Sequence, residues 1–196
     1  MRTLAAAAAV LAVSAQAAGA QVFTPTYLAP RVSSDLGVYV SDGPGDLAVE
    51  GIWRRALAGG SGIGLRAGFA DADGGSALLL GIDYRNPLSL AGTAPLDLAL
   101  TLGAQGALGD LDAIGAQVGL SIGYTFNTPE VTVTPYVHPR LAFVNVDTGN
   151  GDDESEIDPR ADLGIDVGFA PNLSLRFGAN LGDGADWGIG LAWRTR

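Results

Sequence analysis

The stretch AIGAQVGLSIGYTF, Ala113–Phe126, alternates without a break. Ile114, Ala116, Val118, Leu120, Ile122, Tyr124 and Phe126 form one apolar set. Gly115, Gln117, Gly119, Ser121, Gly123 and Thr125 lie between them. A period of two is the mark of a strand with two different faces. One face here is greasy and ends in aromatics. The other is small and weakly polar. Which face is inside decides the fold and the solvent.

The same pattern recurs along the chain. Leu96, Leu98, Leu100 and Leu102 oppose Asp97, Ala99, Thr101 and Gly103. Leu163, Ile165, Val167 and Phe169 oppose Asp162, Gly164, Asp166 and Gly168. Trp187, Ile189, Leu191 and Trp193 oppose Gly188, Gly190, Ala192 and Arg194. Turn residues cut the chain into ten predicted strands: 33–41, 47–57, 62–71, 76–86, 95–107, 113–126, 131–147, 160–170, 172–182 and 186–195, with eight strands as the alternative. Pro135 and Pro139 fall inside the seventh. Proline cannot donate to a ladder, so a bulge, bend or break is expected there.

The connections support this count. The odd ones, SDGPGD, ADADGGS, GDLDA, DTGNGDDESEIDP and GDGAD, each hold at least two acidic residues. The even ones, LAGGSG, NPLSLAGTAPL, NTPE and APN, hold only Glu130. In an up-and-down meander all odd turns lie at one end, so the acidic residues gather there.

Composition narrows the class. The 196 residues allow one domain. There is no Cys, which removes disulfides and thiolate chemistry. A formal net charge of −10 argues against nucleic-acid binding. All 11 basic residues are Arg, whereas a water-facing surface is usually dotted with Lys. At the N-terminus, Arg2, an Ala-rich apolar run and SAQAAGAQ have the n-, h- and c-regions of a secretory signal, cleaved after Ala20 or Ala17. Residues 1–20 are therefore predicted to be the signal and 21–196 the barrel. No later run of 18 apolar residues exists to make a spanning helix.

Two closed sheets fit the alternation. A soluble barrel turns its apolar face inward and binds an apolar ligand. A membrane barrel turns it to lipid. The second face favours the membrane. Glycine exposed so heavily to water would weaken the strands, whereas small residues suit a narrow lumen. They leave room there for a charge network of Glu50, Arg54, Arg66, Asp83, Arg85, Asp97, His138, Arg140, Asp162, Asp166, Arg176 and Arg194, which should pair as Arg with carboxylate. Aromatics near strand ends, among them Trp53, Phe69, Tyr84, Phe169 and Trp193, suit interfacial girdles.

Export signal, even strand count, Gly-rich alternation and unequal turns together make residues 21–196 resemble small bacterial outer-membrane β-barrels of the porin-like class. The resemblance is one of pattern. It implies an outer-membrane location, short turns and termini in the periplasm, and acidic loops outside. It also implies membrane lipid, lipopolysaccharide and the barrel-assembly machinery as partners. Such barrels often end on an aromatic residue, whereas this chain ends GLAWRTR.

Chemistry is less marked. Asp71, Asp73, Asp147, Asp152, Asp153 and Glu154 supply oxygen ligands of the kind calcium takes, but not at EF-hand spacing. They suit loose bridging of divalent cations. His138 is the only His. No G-x-S-x-G elbow accompanies it, so catalysis is not expected. No cofactor is expected. The expected role is a structural barrel or a narrow porin-like channel for small solutes.

Overall fold

The computed structural model describes residues 25–43, 46–72, 75–89, 95–109, 112–147, 153–181 and 186–195. The predicted signal, residues 1–20, lies outside them.

Eleven strands form one antiparallel sheet: β1 (Asp35–Ser41), β2 (Leu47–Ala56), β3 (Gly62–Ala72), β4 (Gly75–Leu88), β5 (Asp97–Gly109), β6 (Ala113–Gly123), β7 (Phe126–Asn127), β8 (Thr132–Asp147), β9 (Asp153–Ala170), β10 (Leu173–Leu181) and β11 (Trp187–Arg194). Each strand pairs with the next in sequence, except that β6 pairs β8 instead of β7, and β7 pairs β8 alone. β1 pairs β11, Asp35 opposite Arg194 and Ser41 opposite Gly188, which closes the sheet into a barrel. β6 and β7 face β8 in one register, with Gly119 opposite Arg140 and Phe126 opposite Val133. They are two parts of one stave, so the barrel has ten staves.

The prolines act on the neighbouring strand. β8 is continuous, and its register with β9 never shifts from Thr132 opposite Gly168 to Asp147 opposite Asp153. The expected bulge or bend in this strand is therefore corrected. The interruption falls at Tyr124 and Thr125. Tyr124 N–H donates to Pro135 O at 3.2 Å, and Pro135 has no N–H to return. The observed bulge is elsewhere, between Leu173 and Ser174 where β10 meets β9.

A second correction concerns β9. It begins at Asp153 rather than 160. Ser155, Glu156 and Asp158, which fall in an expected loop, continue the ladder with Asn145, Val144 and Ala142. A charged run suppresses the strand signal, yet a hairpin arm held by its partner tolerates it.

The phase of the staves settles the inside. Leu36, Val38, Val40, Leu65, Leu80, Leu100, Val118, Leu163 and Ile189 are exposed on the outer face. Asp35, Glu50, Arg54, Gln105, Gln117, Ser121, His138 and Asn180 are buried inside. The soluble alternative needs the reverse, so it is overturned. An outer band of large apolar groups on a closed ladder, with backbone groups paired between staves, is what lipid admits. Trp53 and Trp193 flank Leu36 across the ladder at one end, with Phe126 and Phe169 at that end, while Phe69, Phe143 and Trp187 mark the acidic end.

The inner face is not wholly polar. Ala48, Ala70, Ala77, Leu79 and Ala107 form a buried apolar layer. Small wall residues also make room for large ones. A Cβ on Gly190 would run into the ring of Tyr39. That ring cannot yield, because Tyr27 lies 4.5 Å away and Arg54 lies over it at 5.9 Å. Gly190→Ala should therefore destabilise the barrel by about 1–3 kcal/mol, read as a lower denaturant midpoint at unchanged slope.

Candidate functional site: a filled lumen

The lumen is occupied by the chain itself. Residues 25–34 pair with no strand, and Pro25 to Pro30 are buried inside the staves. This strap enters at the end that carries the even turns. At its root, Ser34 O accepts from Thr195 N at 2.9 Å and Ser34 Oγ from Ala56 N at 3.0 Å. Arg31 pairs at the rim with Asp97, 2.8 Å. Deeper in, Arg85 donates to the carbonyls of Ala29 (3.0 Å) and Arg31 (3.2 Å), and Ser121 to that of Leu28 (2.6 Å). Arg54 reaches the Thr26 carbonyl at 3.4 Å. A strap backbone without a ladder must find partners in the wall, and these side chains supply them.

Around the strap lie the inward-facing charges. Arg176 is the most engaged. It grips Asp35 through two nitrogens (3.0 and 2.7 Å), Asp166 through Nε (3.1 Å), the Tyr39 hydroxyl (2.7 Å) and Ser33 (3.3 Å). Arg66 holds Glu50 through Nε at 2.9 Å and through a second nitrogen, and Gln105 meets the other Glu50 oxygen at 3.4 Å. Arg140 reaches Asp162 at 3.2 Å, with Gln117 and Asn180 completing its shell. Bidentate, charge-assisted bonds of this kind are what make buried charge tolerable. Arg54 and Arg85 differ. Arg54 has no carboxylate within 4.0 Å among the described residues, and Arg85 has only Asp83, at 3.9 Å. Arg85's acceptors are strap carbonyls, and Arg54's are a strap carbonyl and the Tyr39 hydroxyl.

His138 sits at the centre. Its Nε2 meets Thr101 Oγ1 at 2.7 Å and its Nδ1 meets Asp162 at 3.2 Å and Thr26 Oγ1 at 3.0 Å. The hydroxyl–His–carboxylate order is that of a hydrolytic triad. However, His138 and Thr101 are both 0 % exposed, so no substrate can approach the hydroxyl. The cluster instead ties β5, β8 and β9 to the strap.

Two of the expected network members lie outside it. Asp97 is at the rim with Arg31 and Thr125. Arg194 has the inward phase, opposite Asp35, but is exposed where β11 ends. That position is a correction of the lumen assignment. Thr101, Gln117 and Asn180 lie on the face expected to be inward but are uncharged and stood outside the expected network, and Asp35 and Tyr39 belong to a strand with no expected network member. The strap was missed altogether. PTYLAPRVSS has two prolines and no periodicity, so it reads as a linker.

The acidic candidates fare differently. Asp71 is exposed at the end of β3. Asp73 and Asp152, and the side chains of Asp147, Asp153 and Glu154, lie outside the described residues. Among the described residues no cluster of three His, Cys, Asp or Glu could hold a metal. Two acidic-end residues serve the turns themselves: Asp42 accepts from Trp187 N at 2.5 Å and Asp112 from Gly109 N at 2.9 Å.

No family model and no curated protein matches the chain. Solved structures do. The chain is similar to porins and other transmembrane barrels. A KdgM porin in complex with disordered oligogalacturonate aligns with TM-score 0.48 and 11% identity over 84% of this chain and 100% of that one. A de novo designed transmembrane β-barrel gives 0.38 and 18% over 83% and 97%. The N-terminal β-barrel domain of Pseudomonas aeruginosa OprF gives 0.37 and 18% over 84% and 98%. At this level of likeness the role must come from the lumen.

Proposed function

We propose that this chain is a small, porin-like barrel of the bacterial outer membrane whose lumen is closed at rest, so that it acts there as a structural, non-conducting wall element. The carrying observation is the strap, seated among fully buried charges from Arg54 to His138. A barrel of this width has little room to spare, and a peptide segment takes what there is. The acidic turns then face outward beside lipopolysaccharide, where loose divalent cations bridge charge, and the strap's root faces the periplasm. Delivery by the barrel-assembly machinery follows from the class it resembles. We read the barrel as non-catalytic, since the His138 cluster is sealed.

Planar-bilayer recording of the refolded, signal-free chain tests this. We expect a silent membrane at low holding voltage from protein that shows heat-modifiable gel migration. Sustained single-channel steps at rest would overturn the closed-lumen reading.

A further inference from the structure

The strap has the properties of a removable part. The barrel closes without it, because every stave is paired to its neighbours and β1 pairs β11. The strap contributes no ladder. Among the described residues its backbone is held inside by side-chain bonds to the carbonyls of Thr26, Leu28, Ala29 and Arg31. Its root is different, since Ser34 is fastened to both β2 and the segment after β11. Fastened root and unwoven tip are the geometry of a hinge.

The seat is built for it. A Cβ on Gly178 would stand 2.9 Å from the Cβ of Pro25, and one on Gly123 would stand 3.0 Å from Pro30. A Cβ on Gly188 would meet the Tyr27 hydroxyl. Three separate staves omit a side chain where the strap passes.

The seated state is also held under strain. Tyr27 has φ 53°, a left-handed conformation that a bulky residue avoids. Its hydroxyl is buried without a hydrogen-bond partner, as are Arg54 Nε and Arg85 Nε and Nη2. Orphaned donors of this kind are costly in a closed interior and are satisfied once water enters. Arg85 donates to two strap carbonyls and has Asp83 at 3.9 Å, and Arg54 donates to the Thr26 carbonyl and to the Tyr39 hydroxyl.

We propose that residues 25–31 are a gate: the strap swings about Ser34, leaves the lumen toward the end of the even turns, and opens a narrow polar path for small ions past Arg54, Arg85, Ser121 and His138. This rests on the closed-barrel reading and adds that the closure is reversible. Closed and open are the two arrangements of one element, separated by the strap's carbonyl bonds, the Thr26 bonds to His138 and Asp162, the Arg31–Asp97 pair and the packing of Tyr27 on Tyr39.

The test uses three refolded forms in planar bilayers, each first checked for heat-modifiable migration. One is the natural signal-free chain. One replaces residues 25–31 with Gly and Ser at constant length. One carries Pro25→Cys with Gly178→Cys, whose Cβ atoms lie close enough for a disulfide after a small shift, in a chain that has no other Cys. We expect the Gly–Ser form to give sustained steps where the natural chain is silent at rest. We expect raised voltage to produce steps in the natural chain and in the reduced double-Cys form, and oxidation to abolish them. A folded Gly–Ser form that stays silent overturns the gate and leaves the closed barrel standing. A Gly–Ser form that cannot fold also overturns it, by making the strap part of the folding core. Voltage-driven steps that persist through oxidation, or are absent altogether, do the same. Sustained steps from the natural chain at rest overturn the closed-barrel reading instead.

Discussion

Arg176→Met should cost the barrel about 3–5 kcal/mol, because it removes one partner from a buried ionic cluster and strands the rest. Arg176 donates to Asp35, Asp166, Tyr39 and Ser33 and is itself buried. Methionine keeps most of the volume but none of the donors. Asp35 of β1 and Asp166 of β9 then lose the guanidinium they share. The reading is the denaturant midpoint of barrels folded into lipid vesicles. Asp166→Asn in the Arg176→Met background should recover part of the loss, since it removes one of the stranded charges. A loss below about 1 kcal/mol, the range of a solvated surface pair, would mean that water fills this lumen and screens the cluster.

Leu80→Arg carries the second large effect and probes the opposite face. Leu80 lies midway along β4, points outward and is flanked across the ladder by Ala67 and Gly106. An arginine on the lipid face near the bilayer midplane costs about 2–4 kcal/mol. On a water-facing surface the same change would stay within about 0.5 kcal/mol. The same vesicle-folding titration reads it. A neutral or stabilising outcome at Leu80 contradicts the lipid-facing assignment.

The two faces differ in how plainly the sequence states them. Alternation such as that of Ala113–Phe126 is a local signal, because a strand's side chains point by parity alone. Ten staves, their order and the inward phase of Glu50, Arg54, Asp83, His138 and Arg176 follow from it. Which inward charge meets which is not local. Arg176 finds Asp35 across 141 positions of sequence, and His138 meets Thr26 across 112. Those contacts depend on barrel closure and stagger, which parity does not encode. The strap is the extreme case. Its place depends on glycines in three distant staves, and its own residues carry no period. Pro135 shows a milder form of the same limit. Its missing N–H was legible, but the break it causes appears on the partner strand at Tyr124.

The apolar face meets lipid and the polar face surrounds the strap. The chain's 3 Trp test it directly. Trp187 and Trp193 are exposed on the outer face at opposite ends of β11, and Trp53 lies half-buried beside Leu36. Tryptophan fluorescence should be measured for barrels folded into vesicles of lipids brominated at defined chain depths. Strong quenching is expected, greatest with bromine near the headgroups and weaker with bromine at the bilayer centre. Fluorescence indifferent to bromine at every depth would contradict the lipid-facing assignment.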